Sequence, residues 1–204
     1  MLRTLIVPAA MMVLSACAQD LNLKNAARYH NAGLAAEHAG DYPGAEQAYY
    51  RALINFRDGG ASESSLSMEL YNLARMEGYD CKYDEAEAHL RTALEIEERL
   101  SGPSSSLTTK RLFELARLTY DRGRYTDSAA YYARAIPAVQ QLGIEQEDPV
   151  TLAAALDEYA TALRRTGQGE MANRATAEAG DVRARHPDAR KKYNFVRYTQ
   201  PCRN

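Results

Sequence analysis

The sequence predicts an all-α fold, an array of about four stacked helix–turn–helix units. Three observations carry this. First, the chain repeats itself: Gly33 to Phe56, Ala74 to Glu97 and Ala116 to Val139 align with one another. Each has a small residue, a turn, an aromatic residue, then small residues and a bulky one before Ala-Leu or Ala-Ile. The aromatics Tyr42, Tyr83 and Tyr125 are spaced 41 and 42 residues apart. Second, apolar positions follow the helical period: Tyr83, Ala86, Leu90, Ala93, Leu94 and Leu100 fall on one face. Third, β-branched runs are scarce, which disfavours strands.

Taken in chain order, the first element is an export signal. Arg3 supplies a basic start, and Leu5 to Leu14 form an apolar run. A run of about ten residues is half of the roughly 20 needed to span a bilayer, and it fits a secretory signal peptide. It ends Leu14-Ser15-Ala16-Cys17, which resembles the lipobox of bacterial lipoproteins. The resemblance implies removal of residues 1–16 and a covalent lipid at Cys17, with several acyl chains (palmitate among them). A single chain holds only marginally, at about 0.8 kcal/mol per buried CH₂, so several give durable anchoring. Asp after the cysteine marks inner-membrane retention in the enterobacterial pattern; Ala18 here favours the outer membrane. Residues 17–25 are expected to be a lipidated tether, reaching some 20–25 Å if extended.

Residues 26–185 hold the repeats, near 26–56, 67–100, 109–142 and 153–185. The matching positions are Tyr29, Gly33, Gly40, Tyr42, Ala45, Tyr49 and Ala52, then Leu70, Leu73, Ala74, Tyr83, Ala86, Leu90 and Ala93. The third copy has Leu112, Leu115, Ala116, Gly123, Tyr125, Tyr132 and Ala135; a degenerate fourth has Leu156, Tyr159, Ala160, Gly167, Ala172 and Ala179, with Gly169 in the aromatic's place. This pattern resembles the tetratricopeptide repeat (TPR), and an atypical last copy suits a cap. The period exceeds the usual length of about 34 residues. The extra length lies in Arg57–Ser65, Ser101–Ser106 and Gly143–Pro149 and is similar to the longer repeats of kinesin light chain. Glu87 with Arg91 and Glu95 with Arg99 are expected as outer-face ion pairs. Pro137 is expected to kink or end its helix early.

The TPR resemblance implies a TPR superhelix in which the first helix of each unit lines a groove for a peptide or partner helix. Carried onto this chain, the groove residues are Asn31, Tyr71, Asn72, Arg75, Phe113, Arg117 and Tyr120. His30, Leu34, Glu37, His38, Tyr79, Glu114, Asp121, Asp157, Glu158, Thr161 and Arg164 lie on the same face. Asn31 and Asn72 occupy equivalent positions and could read main chain. Arg75 and Arg117, also equivalent, with the nearby aromatics would suit a carboxylate or an acidic-aromatic segment.

Two features depart from the repeat pattern. Cys81 stands at the turn position that Gly40 and Gly123 hold in other copies, and Cys202 is in the tail. An oxidising periplasm invites a bridge between them; the alternative is idle thiols. The tail, residues 186–204, carries Arg190, Lys191, Lys192, Arg197 and Arg203 with Tyr193, Phe195 and Tyr198, and no acid from Arg190 onward. Such a segment can sit on an anionic surface, dock on an acidic partner, or fray.

Other classes are disfavoured. A net charge of −2 lacks the footprint of a nucleic-acid binder, and three cysteines are too few for a disulfide scaffold. There is no Gly-rich phosphate loop and no nucleophile elbow. His30, His38, His89 and His186 lack metal-ligand spacing. No catalytic residue, metal or cofactor beyond the lipid at Cys17 is expected. The sequence thus reads as an outer-membrane lipoprotein facing the periplasm, an adaptor for an envelope protein or peptide. Pilus, β-barrel assembly and murein-hydrolase systems are equally open. The alternative is a structural spacer whose basic tail binds peptidoglycan, lipid or another polyanion. Self-association is open as well.

Overall fold

The computed structural model describes residues 6–190 and 197–199, with side chains from residue 17 onward. Among these residues the chain is helical and contains no strand. The helices are α1 (Ile6–His38), α2 (Tyr42–Asp58), α3 (Glu63–Tyr79), α4 (Tyr83–Ser101), α5 (Ser106–Asp121), α6 (Tyr125–Leu142), α7 (Ile144–Glu147), α8 (Pro149–Arg165) and α9 (Gly169–Arg185). They pack as hairpins α1/α2, α3/α4, α5/α6 and α8/α9, and each hairpin stacks on the next through α2/α3, α4/α5 and α6/α8.

The same turn closes all four hairpins. Gly40, Cys81, Gly123 and Gly167 each have positive φ. The residue after each donates its N–H five residues back, as in Asp41 to Ala36 and Lys82 to Glu77. This is the Schellman closure, which satisfies helix-end carbonyls. Cys81, at φ 66°, is the one non-glycine with positive φ among the described residues. The longer connections between hairpins end in side-chain caps: Ser62, Ser105 and Asp148 accept from the backbone N–H of Ser65, Thr108 and Thr151.

Small residues let the paired helices close. Ala45, Ala52, Ala86, Ala93, Ala135, Ala172 and Ala179 are fully buried. A Cβ on Gly33 would lie 2.6 Å from the Tyr49 ring, so only glycine admits that ring between α1 and α2. Tyr49 and Tyr132 are fully buried at the cores of the first and third hairpins.

Several expectations need correction. Residues 18–24 continue α1 as helix, and at about 1.5 Å per residue they reach less than half as far as an extended tether. Pro137 does not end α6, which runs on to Leu142; Ala138 and Val139 beyond it are buried and hold the last turn in place. Leu100 is 46% exposed, off the buried face of α4. Glu87 does pair with Arg91 at 2.7 Å, but it is buried and also takes Arg122 and Arg124 from the next hairpin. Arg99 turns to Glu63 on α3, at 2.6 Å.

Candidate functional site

The first helices α1, α3, α5 and α8 place Glu37, Arg75, Glu114, Asp121 and Glu158 along one face, and that face is occupied. Arg197–Thr199 of the tail lies on it, and Tyr198 is fully buried. The Tyr198 ring is a third member of a stack. Tyr42 and Tyr79 have centroids 4.6 Å apart, and Tyr79 and Tyr198 4.9 Å apart. The ring also meets Gly78, where a Cβ would be 2.5 Å from it. The tail's main chain is held as well. The Tyr198 N–H donates to Asp121 Oδ2 at 2.9 Å, and its carbonyl accepts from the Tyr83 hydroxyl at 3.3 Å.

Glu114 is the polar centre of the site. Its Oε1 accepts from the Tyr198 hydroxyl at 2.5 Å and from Arg117 at 3.1 Å; its Oε2 accepts from the Tyr71 hydroxyl at 3.0 Å. Burial pushes this carboxyl up. Arg117 and Arg75 beside it, with the two tyrosine hydroxyls, outweigh that and hold it below the usual carboxylate range. Arg75 also pairs with Glu37. Both arginines proposed to attract an acidic ligand therefore have carboxylates of the chain itself. The cation on this face that comes from the tail is Arg197, paired with Asp121 and Glu158, its guanidinium 5.0 Å from the Tyr120 ring centroid.

Beside Arg197 a cavity of about 450 Å³ opens among α5, α6 and α8, lined by Tyr71, Lys110, Phe113, Tyr132, Leu152 and Arg197 among others. That is the size of a small-ligand or side-chain pocket, typically about 300–1,000 Å³. Among the described residues no cluster of His, Cys, Asp and Glu could hold a metal ion.

The structure brings Tyr71, Arg75, Arg117 and Tyr120 together around the tail. Phe113 lies on the cavity wall, edge-on to Tyr132 with centroids 5.9 Å apart. The two asparagines do not form a matched pair: Asn31 is exposed and Asn72 buried. Asp121 and Glu158, which engage the tail most directly, were legible only as members of the first-helix face. The signal that could have found them is the acid-free tail opposite a face rich in acids. Cys81 is disulfide-bonded, while Cys17 is a free, exposed thiol on α1. Cys202, the expected partner of Cys81, lies outside the described residues. No helix among the described residues is long and apolar enough to cross a membrane.

Residues 66–141 match the tetratricopeptide repeat family. No curated protein matches the chain. Among solved structures the fold is similar to BtubC (BKLC) from P. vanneervenii, with TM-score 0.72 and 22% identity, covering 84% of this chain and 69% of that one. It is also similar to a putative kinesin light chain with nearly identical TPR-like repeats from Podosopora anserina, with TM-score 0.64 and 17% identity, covering 80% and 77%. Aspartyl phosphate phosphatase F from Bacillus subtilis gives TM-score 0.69 at 15% identity, covering 82% of this chain and 42% of that one. The fold is a TPR superhelix, an architecture for protein–protein interaction.

Proposed function

We propose that this protein is a membrane-anchored, periplasm-facing TPR adaptor whose first-helix groove binds a short segment of an envelope protein. The observation that carries the reading is the seated tail. The face already holds a short non-helical segment, with a turn at Tyr198 and Thr199, by its main-chain N–H, its carbonyl, its ring and its charge. An adaptor groove needs all four kinds of contact. Cys17, exposed and unbridged, is the anchor, with residues 1–16 removed on export to the outer membrane. Cys81 pairs with Cys202 and pins the tail near the α3–α4 turn. A cysteine at φ 66° carries backbone strain of order 1–3 kcal/mol that the glycines of the other three turns avoid; the bridge gives the cysteine a reason to be there.

The test is site-specific photo-crosslinking in intact cells from position 120, at the rim of the groove, in wild type and in a Gly78→Ala/Glu158→Lys variant. A discrete envelope protein crosslinked to wild type and changed in the variant is the expected result. Crosslinking that ignores the groove substitutions rules the adaptor reading out. Cys17→Ala tests the anchor separately, by loss of metabolic palmitate label and of the membrane fraction.

A further inference from the structure

We infer that the groove recognises a basic residue followed directly by a tyrosine in its partner, a place that Arg197–Tyr198 holds in cis. This rests on the adaptor reading above and names its ligand class. The charge of the seat comes first. Arg75 is matched by Glu37, and Arg117 by Glu114. Asp121 and Glu158 take Arg197, and among the described residues no other cation sits on either. With the tail out, the seat of Arg197 therefore presents two carboxylates, Asp121 and Glu158, without a cation. Buried like charge is costly, so an acidic ligand is repelled and a basic one drawn in.

Register follows from Asp121. One oxygen takes the Arg197 guanidinium, and the other accepts the next residue's N–H at 2.9 Å. A single carboxylate thus reads a basic side chain and the amide immediately after it. The ring that follows enters a slot between Tyr79 and Gly78. At its end Glu114 accepts a hydroxyl hydrogen at 2.5 Å, which favours tyrosine over phenylalanine. The cavity of about 450 Å³ next to Arg197 gives a longer ligand room for a further apolar side chain. Because the tail already fills the seat, a partner meets only the fraction of molecules with the tail out, and its apparent affinity falls by that fraction.

The experiment uses the full chain in reducing buffer and a fluorescent peptide with the sequence of residues 194–201, read by anisotropy. An Arg197→Glu/Tyr198→Ala chain, its helicity checked by circular dichroism, has its own tail unseated. It should bind the peptide about tenfold or more tighter than wild type does. Glu in place of the peptide's arginine should cost at least about tenfold, as loss of a paired buried charge does. Phenylalanine for its tyrosine should cost severalfold. Gly78→Ala added to the chain should abolish binding. Should the unseated chain not fold, Glu158→Lys in the otherwise native chain carries the test: it should lose most of the wild type's preference for the native peptide over the Glu-bearing one. If the acidic peptide binds the Glu158-bearing chain as tightly as the basic one, and Gly78→Ala removes both, the ligand class is wrong and the groove reading stands. If neither peptide responds to any groove substitution, the groove reading fails as well.

Discussion

Gly78→Ala separates the seated tail from the array that seats it. An added Cβ would lie 2.5 and 2.6 Å from two carbons of the Tyr198 ring, where ordinary contact begins at 3.4 Å. The ring would have to retreat by about 1 Å, an overpacking that cores resist. It has nowhere to go. Tyr79 is stacked on it with centroids 4.9 Å apart, its hydroxyl is held by Glu114 at 2.5 Å, and its amide by Asp121 at 2.9 Å. Losing a buried aromatic ring from its site costs of order 3–5 kcal/mol. The same substitution favours α3 itself, since alanine exceeds glycine by about 1 kcal/mol in a helix interior. The tail and the array should therefore respond in opposite directions. The assay is tryptic cleavage after Arg197 under native conditions, beside hydrogen exchange across α3. Cleavage should accelerate by roughly two orders of magnitude, the factor that about 3 kcal/mol implies. Exchange in α3 should not rise. In a Tyr198→Ala background the effect of Gly78→Ala on cleavage should vanish, because both changes act on one contact. Unchanged cleavage in Gly78→Ala, or a loss of α3 protection in step with the tail, would refute the reasoning.

Further expectations concern single interactions. Tyr198→Phe removes one hydrogen bond to a carboxylate, worth about 1.5–3 kcal/mol, and should speed cleavage after Arg197 less than Gly78→Ala does. Glu114 is held below the usual carboxylate range; its stabilisation is complete above the unfolded value near 4.5 and is lost only as pH falls through the lower folded value. Tail protection should thus persist at pH 4.5 and fail at more acid pH; failure near neutrality would contradict it. His89 is raised above 6.5, first by its hydrogen bond to Glu77 at 2.8 Å. It contributes stability below that value and loses it as pH rises through the folded pKa, and His89→Gln should flatten this part of a denaturation-versus-pH curve. Non-reducing peptide mapping should join the peptides of Cys81 and Cys202. Cys81→Gly should be less stable than the oxidised wild type by about 2–4 kcal/mol and more stable than the reduced one by about 1 kcal/mol, the strain at φ 66° being relieved.

The repeat architecture was legible because its signals are local and recur in phase. Tyr42, Tyr83 and Tyr125 open the second helices of three hairpins, and Gly40, Cys81 and Gly123 hold equivalent left-handed turns. Placing Cys81 with the glycines needed only the alignment of copies. Of the charge pairs, Glu87 with Arg91 was legible from i,i+4 spacing; the pairs that run between copies were not. Arg99 bonds Glu63 rather than Glu95, and Glu87 gathers Arg122 and Arg124, more than thirty residues away. Helical spacing within one segment carries no information about those partners. Pro137 misled for a related reason. It removes one backbone bond, but Val139 is 1% exposed against α8 and its neighbours, and packing outweighs the missing bond.

The groove shows the same limit with a functional consequence. Arg75 and Arg117 read as anion receptors when seen alone on their helices. Each is in fact a neighbour of Glu114, and Arg75 also of Glu37, so their positive charge serves to keep a buried carboxylate ionised. That carboxylate then accepts hydrogens from Tyr71 and Tyr198. The charge left at the seat of Arg197 belongs to Asp121 and Glu158, and its sign is opposite to the one the arginines suggest. Selectivity of such a face is decided by the residual charge after internal pairing, not by its most conspicuous residues. An arginine-to-alanine change at position 75 should therefore weaken tail docking through Glu114 and leave the preference for basic over acidic peptides intact. Glu158→Lys should remove most of that preference while Arg75 and Arg117 remain in place. If the wild-type groove preferred the acidic peptide and Arg75→Ala abolished that preference, the pairing assigned to Glu37 and Glu114 would be wrong.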